Sequence, residues 1–70
     1  MKIIANNYEP KEIIKIIREW SGLTQKEFGE TINRTRDNIN SIENGRNNFY
    51  FKTFMEIAKK HNLIITIEKK

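Results

Sequence analysis

Apolar residues recur along this chain in two rhythms. Through most of it they return every three or four positions, the spacing of one helix face: Ile13, Ile16, Ile17 and Trp20, then Phe28 and Ile32, then Ile39 and Ile42, then Phe51, Phe54, Met55 and Ala58. Near the C-terminus the rhythm becomes an alternation, with Leu63, Ile65 and Ile67 set against Ile64, Thr66 and Glu68. β-Branched residues dominate that stretch, which therefore predicts a strand over 63–68. Met1 to Ala5 is also short and β-prone, and Asn6-Asn7 closes it with turn chemistry. The pattern predicts an α+β fold, mainly α, with four helices and a small antiparallel sheet from the N- and C-terminal strands. A lone strand leaves its edges unpaired, so Leu63 to Glu68 is expected to pair with Met1 to Ala5, with its copy in a second subunit, or with both.

The residues between the apolar stripes mark where helices start and stop. Pro10 suits the first turn of a helix that Ser21-Gly22 ends. Thr24 followed three residues later by Glu27 is a capping box, in which hydroxyl and carboxylate each satisfy an orphan backbone donor. Leu23 and Phe28 are placed to staple that helix start. Asn33 tolerates the left-handed conformation of a sharp helix end, so a turn falls at Asn33-Arg34, and Thr35 caps the next helix at once. Gly45 ends it, residues 46–49 (RNNF) form a loop, and Asn62 is a second left-handed stop after the last helix. The central stretch is thus two short helices joined by a tight turn, over about 24–45.

Two features distinguish this pair from an ordinary amphipathic one. A glycine inside a helix costs about 1 kcal/mol relative to alanine, so Gly29 predicts a close approach by the second helix. That helix also carries an outward face of Arg36, Asp37, Asn40, Ser41 and Asn44 rather than the usual lysines and glutamates. Guanidinium and amide groups form directional hydrogen bonds, and arginine with guanine or asparagine with adenine are pairings the DNA major groove selects. Caps, small residue, turn and terminal glycine all fall at helix-turn-helix spacing.

LTQKEFGETINRTRDNINSIENG, from Leu23 to Gly45, resembles the helix-turn-helix of the phage Cro and repressor family, also called the XRE family of bacterial regulators, and the similarity runs on to about Leu63. The LTQ-x-E-F start, Gly29 at the small-residue position, Ile39 and Ile42 at buried positions, and the ending Ile42-Glu43-Asn44-Gly45 carry it. Asn33 stands where the family usually has Gly, Arg34 where it has an apolar residue, and Phe49-Tyr50 where it has Pro-Ser. The resemblance implies that Arg36, Asp37, Asn40 and Ser41 approach base edges, while Gln25, Thr35, Asn44 and Arg46 contact phosphates. Where the wider family usually has another helix, the C-terminal alternation resembles the Cro proteins, whose C-terminal strand builds a dimer. Leu63, Ile65 and Ile67 are then the expected dimerisation residues.

Composition narrows the function without naming it. The chain has 70 residues and a net charge of +4, which suits a polyanionic partner. The excess lies at the C-terminal end: residues 23–50 hold four cations and four anions, whereas residues 51–70 hold five and two. One small domain with marginal burial gains from dimerisation, and it offers no room for an enzyme cleft. There is no cysteine, hence no disulfide, thiolate metal site or cysteine chemistry. Neither a metal site nor a cofactor is expected. His61 reads as structural, a cationic ring at a helix C-terminus. Trp20, Phe49 and Phe51 read as core rather than base-stacking platforms, with Tyr50 the most exposed. Apolar runs are too short for a membrane span or a signal peptide, so a cytoplasmic protein is expected.

The expected function is a sequence-specific transcriptional regulator, most simply a dimeric repressor that binds double-stranded DNA at a pseudo-palindromic operator. One alternative is the antitoxin of a toxin-antitoxin pair, which binds DNA through the same motif and a protein partner through the C-terminal strand; an anti-repressor is the other such partner. Another is a protein-interaction module that has lost DNA binding. An enzyme ranks last, because no set of nucleophile, base and orienting group is visible.

Overall fold

The computed structural model describes residues 1–70 and consists of four α-helices: α1 (Pro10–Ser21), α2 (Gln25–Thr31), α3 (Arg36–Glu43) and α4 (Phe51–Lys60). A single 3-10 turn, Ala5–Asn7, precedes them. Pro10 occupies the first turn of α1, and the Glu9 N–H donates to the Glu12 carboxylate (2.9 Å). Thr24 and Thr35 cap α2 and α3 as their positions predict, accepting from the N–H groups of Glu27 and Asn38, each at 3.1 Å. The Glu27 carboxylate accepts the Thr24 N–H in return (2.9 Å), and that bond holds it below the usual carboxylate range.

Three helices end in the same motif. Asn33, Gly45 and Asn62 have φ values of 57°, 76° and 55°, and each turns the chain so that the next N–H reaches back to a carbonyl of the last helical turn. The bonds are Arg34 to Gly29 (2.8 Å), Arg46 to Ser41 (2.9 Å) and Leu63 to Ala58 (2.9 Å). Gly29 is explained by the first of them. A β-carbon there would stand 2.5 Å from the Arg34 carbonyl oxygen and 3.2 Å from Cγ1 of Ile39. The inter-helix turn itself needs the space first, and α3 second.

The core is one cluster of Ile14, Ile17, Phe28, Ile32, Ile39, Ile42 and Ile57, with Ile13, Leu23, Phe49, Phe54 and Leu63 packed against it. Two expected stripes shift in register. On α1 the face centres on Ile14 and Ile17, while Trp20 is half-exposed and outside the cluster. At about 100° per residue Trp20 lies about 60° from Ile17 and about 120° from Ile14, too far round to enter. On α4 the buried residues are Thr53, Ile57 and Ala58, with Phe54 at the edge, whereas Phe51 and Met55 are exposed. Thr53 faces inward beside Ile57 and Ala58, and its hydroxyl accepts a bond from Arg34 Nη2 (3.1 Å). Tyr50 is exposed, as expected.

The predicted sheet is absent. Residues 63–70 and 1–4 form no regular secondary structure, and no backbone hydrogen bond joins them. The fold is therefore all-α. Alternation makes a segment capable of being a strand, but a strand exists only with a partner edge, and an isolated two-stranded pair is marginal in water. Here the turn at Ala5–Asn7 leads the N-terminus directly into α1, and the bond to Ala58 directs Leu63 into the core. Ile64 and Ile67 are left 92% and 89% exposed.

Candidate nucleic-acid interface

α3 buries Ile39 and Ile42 and turns the opposite side outward. Arg36, Asp37 and Asn44 are exposed, and Asn40 and Ser41 half-exposed, so the five polar residues expected to face away from the core do so. Thr35 is exposed beside them, its oxygen engaged by the Asn38 N–H. Arg46 is exposed just beyond the turn at Gly45, its N–H donating to the Ser41 carbonyl of α3. Arg34 goes elsewhere: it is half-buried, bonded to Thr53 and more loosely to Asn38 Oδ1 (3.4 Å). Of the three arginines near the motif, Arg36 and Arg46 remain on the surface.

Behind this face lies a polar network. Arg18 of α1 donates from Nε to Glu43 Oε2 (2.7 Å) and from Nη2 to Oε1 (3.1 Å), while its Nη1 donates to the Leu23 carbonyl (3.0 Å). The Glu43 side chain is 5% exposed and that of Arg18 17%, so the pair is largely removed from water. Its hydrogen bonds to Glu43 raise the Arg18 pKa above its ordinary value. Gln25 completes the network, its Nε2 donating to Glu43 Oε1 and to Asn40 Oδ1, each at 3.2 Å. Three helices thus meet on one carboxylate, and α3 is fixed by directional bonds as well as by its apolar stripe.

Neither Arg18 nor Glu43 was among the residues expected at the site. The signal lay in two stripes read together: Arg18 follows Ile14 by four positions and Glu43 follows Ile39 by four, so opposite charges sit on core-facing sides of two helices. Gln25, expected to contact a phosphate, directs its amide nitrogen to Glu43 and Asn40 in the free protein.

His61 closes the opposite side. Its ring stacks on Phe28 (centroids 4.9 Å), and Nε2 lies 2.9 Å from Thr31 Oγ1. The Thr31 hydroxyl donates to the Phe28 carbonyl, and Ser21 Oγ lies 3.4 Å from Nδ1 on the other side of the ring. Burial holds the imidazole pKa below its ordinary value, so the ring is a neutral packing element and not the cation expected at that helix end.

The expected dimerisation residues divide. Leu63 packs into the core of its own chain, Ile65 is half-exposed and Ile67 is exposed. No helix is long and apolar enough to cross a membrane.

A family model described as helix-turn-helix matches residues 14–63, which hold α1 from Ile14 onward, all of α2 to α4 and the whole core cluster. No curated protein matches the chain in a sequence comparison. Among solved structures, a chain described as "MDT Protein" is 26% identical and superimposes with a TM-score of 0.66, over 99% of this chain and 97% of that one. Chains described as "Structure of HipA-HipB-O2-O3 complex" and "HipB-O4 20mer complex" match with the same 26% identity, TM-score of 0.66 and coverage of 99% and 97%. With capped helices, a left-handed turn at Asn33, a glycine under that turn and a matching family model over most of its length, the chain belongs to the helix-turn-helix family as an XRE-like DNA-binding regulator.

Proposed function

We propose that this regulator is a dimeric repressor that binds a pseudo-palindromic operator and acts by occupying DNA that polymerase needs. The observation that carries the reading is the outward face of α3, whose amide, hydroxyl and guanidinium groups stand on a helix locked from behind by Arg18, Glu43 and Gln25. Arg36, Asp37, Asn40 and Ser41 are assigned to base edges, and Thr35, Asn44 and Arg46 to phosphates. A single recognition helix reads only a few base pairs, so specificity calls for two of them about 34 to 36 Å apart on one face of DNA. The exposed apolar residues of the C-terminal segment, Ile64 and Ile67, with Ile65, are assigned to the contact between copies.

Selection of binding sites from random DNA by the purified protein tests specificity and symmetry together. A two-fold symmetric enriched sequence is expected. Salt-insensitive binding, or no enrichment, would instead favour a protein-interaction module that has given up DNA.

A second reading, an antitoxin that binds DNA and a toxin, is favoured by one observation. The similar HipB chain is solved together with HipA in the HipA-HipB-O2-O3 complex. A toxin-like reading frame beside the gene, and co-purification of its product with this protein, separate the two readings.

A further inference from the structure

We propose that Lys11, on α1 and outside the helix-turn-helix itself, is a DNA phosphate contact, its ammonium laid across Gly45 so that it joins Asn44 and Arg46 at the end of the recognition helix. The inference rests on the phosphate role proposed above for those two residues. The motif is short of charge. Residues 23–50 hold four cations and four anions, and one of the cations, Arg34, is turned in to Thr53. Binding to a polyanion draws on lysines and arginines that reach phosphates, so a neutral motif gains from positive charge on the elements packed beside it. The region matched by the family model begins at residue 14, and Lys11 precedes it.

Gly45 leaves room for the path of the Lys11 side chain. A β-carbon on Gly45 would stand 3.1 Å from Lys11 Cδ, 3.9 Å from Cε and 3.7 Å from Nζ, so the end of the lysine lies over the bare glycine. Asn44 and Arg46, on either side of that glycine, are exposed. The position does nothing for α1, because Lys11 is in its first turn, at the positive end of the helix dipole, where a cation is out of place. Its carboxylate partner is weak. Glu9 Oε2 lies 3.7 Å from Nζ, and the two side chains are 70% and 46% exposed, so water screens the pair and a phosphate can displace it. Lys11, Gly45, Asn47 and Asn48 line an open cleft between the start of α1 and the loop after α3, with two side-chain amides as further donors to an anion and the Glu9 carboxylate opposing one. The same placement also suits the negative C-terminal end of α3, and that purely structural role predicts a different response to salt.

Binding isotherms on operator and random duplexes, from about 50 to about 200 mM salt, test this with the wild-type protein, Lys11→Met, Lys11→Arg and Arg46→Ala. Lys11→Met keeps the stem across Gly45 and removes the charge. It should weaken binding roughly tenfold at the low end of that range and roughly threefold at the high end, equally on both duplexes, because one lost phosphate contact lowers the salt slope by about 1. Lys11→Arg should retain the wild-type slope. Circular dichroism establishes that each variant is folded, with Lys11→Gln as the second neutral replacement if Lys11→Met is not. A wild-type slope for Lys11→Met beside a reduced slope for Arg46→Ala overturns the inference alone and leaves Lys11 as a helix-end charge. Unequal losses on the two duplexes overturn it as well, since a phosphate contact reads no bases. If neither Lys11→Met nor Arg46→Ala changes the slope, the phosphate assignment at this end of α3 fails, and the inference with it.

Discussion

Arg18 and Glu43 are 25 residues apart in sequence and joined by two hydrogen bonds, at 2.7 and 3.1 Å, across the α1–α3 contact. Opposite charges so little exposed are costly to separate, because the survivor keeps its desolvation penalty and loses its partner. Glu43→Ala should therefore destabilise the protein by about 3 kcal/mol, measured by urea unfolding. The double variant Arg18→Met, Glu43→Leu should recover much of that loss, since two apolar side chains leave no charge stranded. A double variant as unstable as the single one would place the energy in the shape of α3 rather than in the ion pair.

Gly29→Ala tests the turn. Alanine is the better helix former by about 1 kcal/mol, so propensity alone predicts stabilisation. The added β-carbon meets the Arg34 carbonyl oxygen at 2.5 Å, however, and the backbone of Arg34, whose N–H donates to the Gly29 carbonyl, has little freedom to move. Overpacking of this kind costs about 1 to 3 kcal/mol, and net destabilisation is expected in a thermal melt. A raised melting temperature would show that the turn relaxes.

Arg36 and Arg46 should separate readout from attraction. Arg36→Ala is expected to cost about 1 to 3 kcal/mol on the selected operator and to relax one base pair per half-site, as for a bidentate guanine contact. Arg46→Ala should weaken binding nearly equally on all sequences and reduce the salt slope by about 1. Binding isotherms on operator and random duplexes at several salt concentrations measure both. Equal losses on the two DNAs for Arg36→Ala would move that residue to the phosphate contacts.

Deletion of residues 64–70 should weaken dimerisation and operator affinity together. Leu63 is retained because it packs on the core and bonds back to Ala58, and the helical signal should then be unchanged. The deletion removes Ile64 and Ile67, the most exposed large apolar residues of that segment. Sedimentation equilibrium gives the test: a truncated protein that dimerises as tightly as the full chain assigns the contact to the exposed Phe51 and Met55 of α4 instead.

His61 should make stability depend on pH in one direction. Burial depresses its pKa in the folded state, so below its ordinary value, about 6.5, the unfolded chain binds the proton first. The stabilisation is therefore complete above that pH and is lost as pH falls through it. The wild-type melting temperature should drop more steeply from about pH 7 to about pH 5 than that of His61→Gln. Glu27, also depressed, acts in the same sense but is common to both proteins, and the comparison removes it. Parallel profiles would mean that the ring gains its proton without opening the contact with Phe28 and Thr31.

Much of this architecture was legible in the chain. Thr24, Thr35, Asn33, Gly45 and Asn62 announce the ends of the helices because capping and left-handed turns are local events, decided within four or five residues. The outward face of α3 was legible for the same reason, since Ile39 and Ile42 orient the helix and the polar residues take what is left. Other features depend on groups distant in sequence. The alternation of Leu63 to Glu68 is real, yet pairing requires a second edge, and within one chain the N-terminal segment does not supply it. Trp20 and Met55 carry the right chemistry for a core, but burial is settled by the rotation of each helix, and α4 turns Thr53, Ile57 and Ala58 inward, with Thr53 bonded to Arg34. The direction of the Gln25 and Asn40 amides was beyond any reading of composition or spacing. It is imposed by the Glu43 carboxylate, and that carboxylate faces them only once α1, α2 and α3 have packed around it.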